Sequence, residues 1–291
     1  MAKIVGGIAT SHIPAIGKAI AQGLQDQDYW KPFFNGYHFV HEWLDRMQPD
    51  VVVIIYNDHG LNFFLDKLPT FAVGAAPEYH NADEGWGLPV SRPFKGYPEF
   101  SWHLIESLVY DEFDVTTCQE MLVDHAFVVP MALMWPEPNR SIRVIPIAIN
   151  TVQFPFPTPA RCFKLGRAIA RGVESFPEHL RVVVVGSGGL SHQLEGERAG
   201  FINRKFDLES MDRIVGDIST LARMSIPELV QMAGTQGVEL INWIAMRGAL
   251  DRDVVEKHRN YHVPISNTAS AVMVLENPGC HPTEERTNLC Q

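Results

Sequence analysis

Val182-Val183-Val184-Val185-Gly186-Ser187-Gly188-Gly189-Leu190-Ser191-His192 is the stretch whose reading decides the fold. Four β-branched residues in a row suit a pleated strand, and they lack the polar alternation of a half-exposed one. The run therefore reads as a strand buried on both faces. Its glycine-rich end predicts a tight turn that carries His192 to the carboxyl edge of a sheet. In open α/β sheets, ligands gather in the crevice beyond that edge. Imidazole titrates near neutral pH, so a histidine delivered there is a candidate proton carrier. Such a turn also occurs as plain punctuation; here the chain repeats the arrangement.

The apolar run at residues 3–9 ends in Thr10-Ser11-His12-Ile13-Pro14, and Val51–Tyr56 ends in Asn57-Asp58-His59-Gly60. His125 follows Val123-Asp124, just ahead of an apolar, helix-like stretch. Strand-to-loop corners of an α/β sheet converge on one edge, so four imidazoles distant in sequence are expected to meet there. Arg143–Ile149 reads as a further buried strand, and a segment from Ala160 to Ser175 as an amphipathic helix with Phe163, Leu165, Ile169 and Val173 inward. Helices are also expected at Tyr29–Met47, Glu99–Tyr110 and within 207–234, and short strands at Leu68–Ala76 and Phe113–Cys118. The stretch from Pro77 to Pro98, rich in Gly, Pro and charge, reads as a long loop ordered around Trp86. An extended piece at Tyr261–Thr268 and a last strand at Ala269–Leu275 precede a loose polar tail, residues 277–291. The expectation is one α/β catalytic domain over residues 1–276. Its sheet is mixed or largely parallel and flanked by helices, with the active site at the carboxyl ends of the strands.

With 46% hydrophobic and 20% charged residues, the chain can bury a sizeable core. A net charge of -10 argues against nucleic-acid binding, which wants a basic surface. No apolar run approaches the roughly 20 residues that span a bilayer. Cys118, Cys162, Cys280 and Cys290 are scattered and form no CxxC pair, which fits a reduced cytoplasmic protein.

Glu239 is the odd carboxylate. It sits in the first turn of an otherwise apolar helix, Gly237–Gly248. It reads either as a solvated charge favoured by the helix dipole or as a buried carboxylate that must be paired or bind a metal. Two histidines and one carboxylate with open positions form the facial triad of non-haem Fe(II) oxygenases, and zinc hydrolases use the same donors. Spacing does not separate the two. Asp58 and Asp124 each precede a histidine; they read as loop caps first and as partners orienting an imidazole second.

Ser11-His12-Ile13-Pro14, Tyr56-Asn57-Asp58-His59, Ala82-Asp83-Glu84-Gly85-Trp86-Gly87, Asp124-His125, the Gly188-Gly189 block through Leu194, and Gly237-Val238-Glu239-Leu240 stand in an order that resembles the class III extradiol dioxygenases. The likeness is to the β (catalytic) subunits of protocatechuate 4,5-dioxygenases, with gallate dioxygenases close, and runs from the first strand to about residue 276. It implies Fe(II) held by His12, His59 and Glu239, with His192 as acid/base. It makes His125 a second active-site histidine, toward a substrate hydroxyl or bound oxygen, and sets Ser266 near the substrate carboxylate. The implied reaction opens a carboxylated catechol beside its paired hydroxyls using dioxygen. The resemblance further implies a small helical α subunit that covers the site. This chain leaves no room for such a lid after residue 276, so a hetero-oligomer is expected.

Overall fold

The computed structural model describes residues 1–85, 93–136 and 142–280. Its strands are β1 (Lys3–Thr10), β2 (Val51–Tyr56), β3 (Phe71–Gly74), β4 (Glu78–Asn81), β5 (Phe94–Gly96), β6 (Thr116–Cys118), β7 (Leu122–Val123), β8 (Arg143–Ile149), β9 (Arg181–Ser187), β10 (Val255–Ile265) and β11 (Thr268–Glu276). The helices are α1 (Pro14–Ala21), α2 (Lys31–Asn35), α3 (His38–Met47), α4 (Pro98–Tyr110), α5 (His125–Met134), α6 (Pro159–Ser175), α7 (Arg204–Val215), α8 (Ser219–Ala222), α9 (Ile226–Ala233) and α10 (Leu240–Gly248).

The strands form one mixed sheet in the order β10-β11-β1-β9-β2-β8-β5-β4-β7, with β3 joining β8 to β6. Its centre is parallel: β9 lies between β1 and β2, and β2 pairs with β8. The β10–β11 hairpin adds an antiparallel edge on β1.

The valine run is β9, buried on both faces as expected. Val182 and Val184 pack with Leu165, Ile169 and Val173 of α6 and Ile241 and Ile244 of α10. Val183 and Val185 pack on the opposite face with Val40, Trp43 and Leu44 of α3 and Phe127 of α5. A period of two thus sends alternate valines into the two cores, and each fully buried one is worth about 1.5–3 kcal/mol. Gly186 is small because α10 crosses there: a Cβ would come 2.8 Å from the Asn242 carbonyl oxygen.

Several local expectations change. The segment 29–47 is two helices, parted at Gly36 and Tyr37; the Gly36 carbonyl accepts from His258 Nε2 at 2.7 Å, and the Asn260 side chain leaves no room for a Cβ there. Residues 77–98 contain β4 and β5 rather than loop alone, and Trp86 lies outside the described residues. The extended piece near 261 is part of the long β10–β11 hairpin. Residues 207–234 divide into three helices, the last opened by Ser225 in a capping box with Glu228. Of the expected tail, only 277–280 fall within the described residues. No described helix is long and apolar enough to cross a membrane.

Candidate metal centre and its cavity

β1, β9 and β2 are neighbours, run the same way, and deliver His12, His192 and His59 just beyond Thr10, Ser187 and Tyr56. His125 opens α5 from across the same edge. All four imidazoles and Glu239 line one cavity of about 1360 Å³. His12, His125, His192 and Glu239 are buried, while His59 is half-buried.

Glu239 closes a short 3-10 turn, Gln236–Glu239, immediately ahead of α10, rather than standing in the first turn of that helix. The buried reading of this carboxylate is the one the structure bears out. Its Oε1 lies 3.3 Å from His12 Nε2 and 3.6 Å from His59 Nε2. Asn57 Nδ2 donates to Oε1 at 3.1 Å, and the Gly189 amide donates to Oε2 at 2.8 Å. Burial pushes the Glu239 pKa up, but the His12 and His59 imidazoles outweigh it and hold the carboxyl well below the usual range.

The four rings share one arrangement. His59 donates Nδ1–H to Asp124 Oδ2 at 2.8 Å, and His125 donates Nδ1–H to Glu84 Oε2 at 2.6 Å. His192 donates Nδ1–H to the Leu190 carbonyl at 3.0 Å. The Ser187 hydroxyl donates to the Ala126 carbonyl, so its oxygen accepts from His12 Nδ1 at 2.9 Å. With Nδ1 taken in every ring, Nε2 is the nitrogen through which a metal, a proton or a substrate would be met; that of His59 also lies 3.2 Å from Asn57 Nδ2. Asp124 also accepts from the Ala126 amide at 3.0 Å, so it is both the cap of α5 and the group that orients His59. Asp58 is a loop cap as expected, accepting from the amides of Gly60, Leu61, Asn62 and Phe63.

This donor set fits a divalent cation. His12, His59 and His125 each bring a ring nitrogen within 4.8 Å of the others, and Glu239 adds a carboxylate oxygen facing the first two. Glu84, Asp124 and His125 also come within 4.8 Å of one another, but there the carboxylate oxygens already accept N–H groups. Burial opposes a charge on His59, yet the Asp124 and Glu239 carboxylates outweigh it and push its pKa up to about 10. Two buried acids thus favour positive charge at this point, which is the field a metal ion needs.

Glycine makes the close approach possible. A Cβ on Gly188 would stand 2.7 Å from the Glu239 carbonyl oxygen, and one on Gly189 would stand 2.6 Å from His192 Cε1. Ser266, expected near a substrate carboxylate, lines the same cavity and has φ of 54° in the two-residue turn between β10 and β11. A non-glycine residue held there is strained, a feature that clusters at ligand sites.

Asn57, Glu84, Ser187 and Asn242 are contributors whose roles the sequence reading does not assign. Asn242 Nδ2 donates to Asn57 Oδ1 at 3.0 Å and to the Ser187 carbonyl at 2.7 Å, which ties α10 to the ends of β2 and β9. Asn57 and Glu84 sit inside the quoted histidine and Asp-Glu-Gly-Trp blocks, and that position was the available signal. Ser187 stands likewise in the quoted turn after the valine run, while Asn242, in the apolar helix after Glu239, carried no signal of its own.

A mixed α/β sheet with a buried histidine–carboxylate cluster at the carboxyl edge of its parallel strands defines a fold with a candidate metal site. The chain belongs to the family described as the catalytic LigB subunit of aromatic ring-opening dioxygenase, whose profile matches residues 6–274. It is 39% identical over 197 residues to gallate dioxygenase of Pseudomonas putida, covering 67% of this chain and 58% of that protein. It is 27% identical over 256 residues to 2,3-dihydroxyphenylpropionate/2,3-dihydroxicinnamic acid 1,2-dioxygenase of Comamonas testosteroni, covering 72% of this chain and 77% of that one. The match to gallate dioxygenase thus spans just over half of that relative. An uncharacterised protein of Escherichia coli K12 shares the fold, with a TM-score of 0.54 at 14% identity over 93% of this chain and 99% of that one.

Proposed function

We propose that this chain carries out extradiol ring cleavage of a carboxylated catechol with dioxygen at a non-haem Fe(II) centre. The observation that carries the reading is the common tie of the four imidazoles: each gives up Nδ1 to a neighbour, and two of them, His12 and His59, set Nε2 against Glu239. In this reading His12, His59 and Glu239 hold the metal. Bound Fe(II) supplies the path by which electron density passes between catechol and dioxygen.

The protein's own groups supply position and protons. His192 takes a proton from a catechol hydroxyl at Nε2 and returns it later in the reaction, while the Leu190 carbonyl keeps the ring in one orientation. His125, held by Glu84 through both its amide and Nδ1, offers Nε2 to the substrate hydroxyl or to oxygen. Ser266 faces the carboxylate end. Likeness to gallate dioxygenase puts gallate level with protocatechuate as substrate, and 3-O-methylgallate belongs to the same class.

A small helical partner covering the mouth belongs to this proposal. Leu61, Val152, Phe156 and Leu194 line the cavity, and the same loops expose Phe64, Leu65 and Phe154 to solvent. An apolar rim of this kind favours a covering surface. The unpaired Cys118, Cys162 and Cys280 support a reducing, cytoplasmic location.

The test is anaerobic loading with Fe(II), followed by oxygen uptake with protocatechuate, gallate and 3-O-methylgallate. Uptake matched to ring opening is expected, whereas a zinc-dependent hydrolase on the same donors would consume no oxygen. Alanine at His12, His59 or Glu239 is expected to lose iron; alanine at His192 is expected to keep iron and lose turnover. Iron held at the wild-type level by Glu239→Ala would refute the ligand assignment.

A further inference from the structure

The cavity is far larger than a metal ion requires, and its charge is lopsided. Besides the histidines, its charged lining residues are Asp83, Glu84, Glu195, Glu239 and Lys18. Glu84 and Glu239 are taken up by imidazoles. Lys18 is therefore the single lysine or arginine that the described lining offers to an anion.

Its placement follows from helix geometry. Pro14 and Lys18 both line the cavity and are four residues apart on α1, so they share a face. Pro14 is two residues from His12, and Lys18 stands about 6 Å further along the helix axis, at 1.5 Å per residue. The face thus runs from the metal end of the cavity outward, with an ammonium one turn along. Lys18 is exposed, and no carboxylate among the described residues pairs with it.

We infer that Lys18 is a specificity-determining residue that binds the carboxylate of the aromatic substrate, with Ser266 as a further hydroxyl in the lining of the same cavity. The inference rests on the carboxylated-catechol reading above and extends it. The chain carries a net charge of -10, and away from the histidine cluster the charged lining is Asp83, Glu195 and Lys18, so outside that cluster this ammonium is the attractive point for an anionic ring. A lysine suits the task because its charge sits on a flexible stem and serves ring carboxylates of somewhat different reach. No covalent step is involved. Lys18 selects and orients, and the chemistry stays at the histidine cluster.

The experiment compares gallate with methyl gallate, which keeps the three hydroxyls and removes the charge. Binding is measured anaerobically by titration calorimetry on the Fe(II)-loaded chain, and KM and kcat follow from oxygen uptake. Lys18→Met is expected to weaken gallate about tenfold and methyl gallate by less than about twofold, with KM rising and kcat held. Lys18→Arg is expected to restore most of the gallate affinity, and added salt to erode the preference for the acid. Equal losses for the two ligands, or none for gallate, would overturn the role of Lys18. Absence of oxygen uptake by the wild type with gallate, protocatechuate and 3-O-methylgallate alike would overturn the ring-cleavage reading itself, a different result from unequal or equal binding losses.

Discussion

Asp124→Asn is the substitution that most directly tests how the metal centre is built. Asp124 is completely buried; its Oδ2 accepts both the amide and Nδ1–H of His59, each at 2.8 Å, and its Oδ1 accepts the Ala126 amide at 3.0 Å. Asparagine keeps the shape but replaces one acceptor with a donor. If the remaining oxygen stays on His59, the cap of α5 is lost, at about 1 kcal/mol. If it stays on the cap, His59 faces an NH2 group and its Nδ1–H loses its acceptor. The ring then shifts toward the tautomer protonated at Nε2, the nitrogen aimed at Glu239, and that form cannot bind a metal. Either way the charge-assisted part of the contact disappears. The expected loss in metal-free stability is about 1–3 kcal/mol. Metal affinity is expected to fall about 10- to 100-fold, equivalent to about 1.4–2.8 kcal/mol. Competition titration against a chromophoric chelator with Fe(II) or Co(II), beside thermal melts of the metal-free chain, measures both. An unchanged metal affinity in a variant that melts lower would refute the orienting role and leave Asp124 as a cap alone.

Two further outcomes follow from the turn around His192. Gly188→Ala places a Cβ 2.7 Å from the Glu239 carbonyl oxygen and 3.0 Å from its Cβ, so the carboxylate must move. Destabilisation of about 1–3 kcal/mol is expected, with weaker metal binding; chemical denaturation and metal content check it, and a fully loaded variant of native stability would contradict the packing argument. Asp207 is buried and accepts from the Ser191 amide at 2.8 Å, the Ser191 hydroxyl at 2.6 Å and Tyr261 at 2.9 Å. Burial outweighs these bonds and raises its pKa. The folded state therefore holds this proton more tightly than the unfolded chain does. Its contribution to stability is full below the ordinary carboxylate pKa of about 4 and declines as pH rises through the folded value. Denaturation series across that window should show the decline in the wild type and a flatter profile in Asp207→Asn; identical slopes would count against the assignment.

Much of the fold was legible because it rests on short-range pattern. A run of four valines has nowhere to go but a strand with two covered faces, and the period of two distributes them between two cores. The amphipathic segment before it is α6, starting one residue earlier than expected. What failed was continuity: residues 29–47 carry one helical period, but the helices part at Gly36, where Asn260 and His258, more than two hundred residues later, pack against the chain. The β4 and β5 strands were missed for a similar reason. Their pairing partners are each other, β7 and the start of β8, and no local alternation announces them.

The sequence by itself determined which residue types stand at the strand ends: His12, His59 and His192 follow apolar runs, and His125 follows a capping aspartate. That is chemistry carried by composition and position along the chain. Tertiary structure alone decided that Glu239 is buried against two imidazoles, that Asp124 serves His59 as well as its helix, and that Lys18 faces the same cavity. Each of these depends on which elements sit side by side in the sheet. Strand order is set by packing across the whole domain, while a residue's neighbours in sequence report only its own strand or turn.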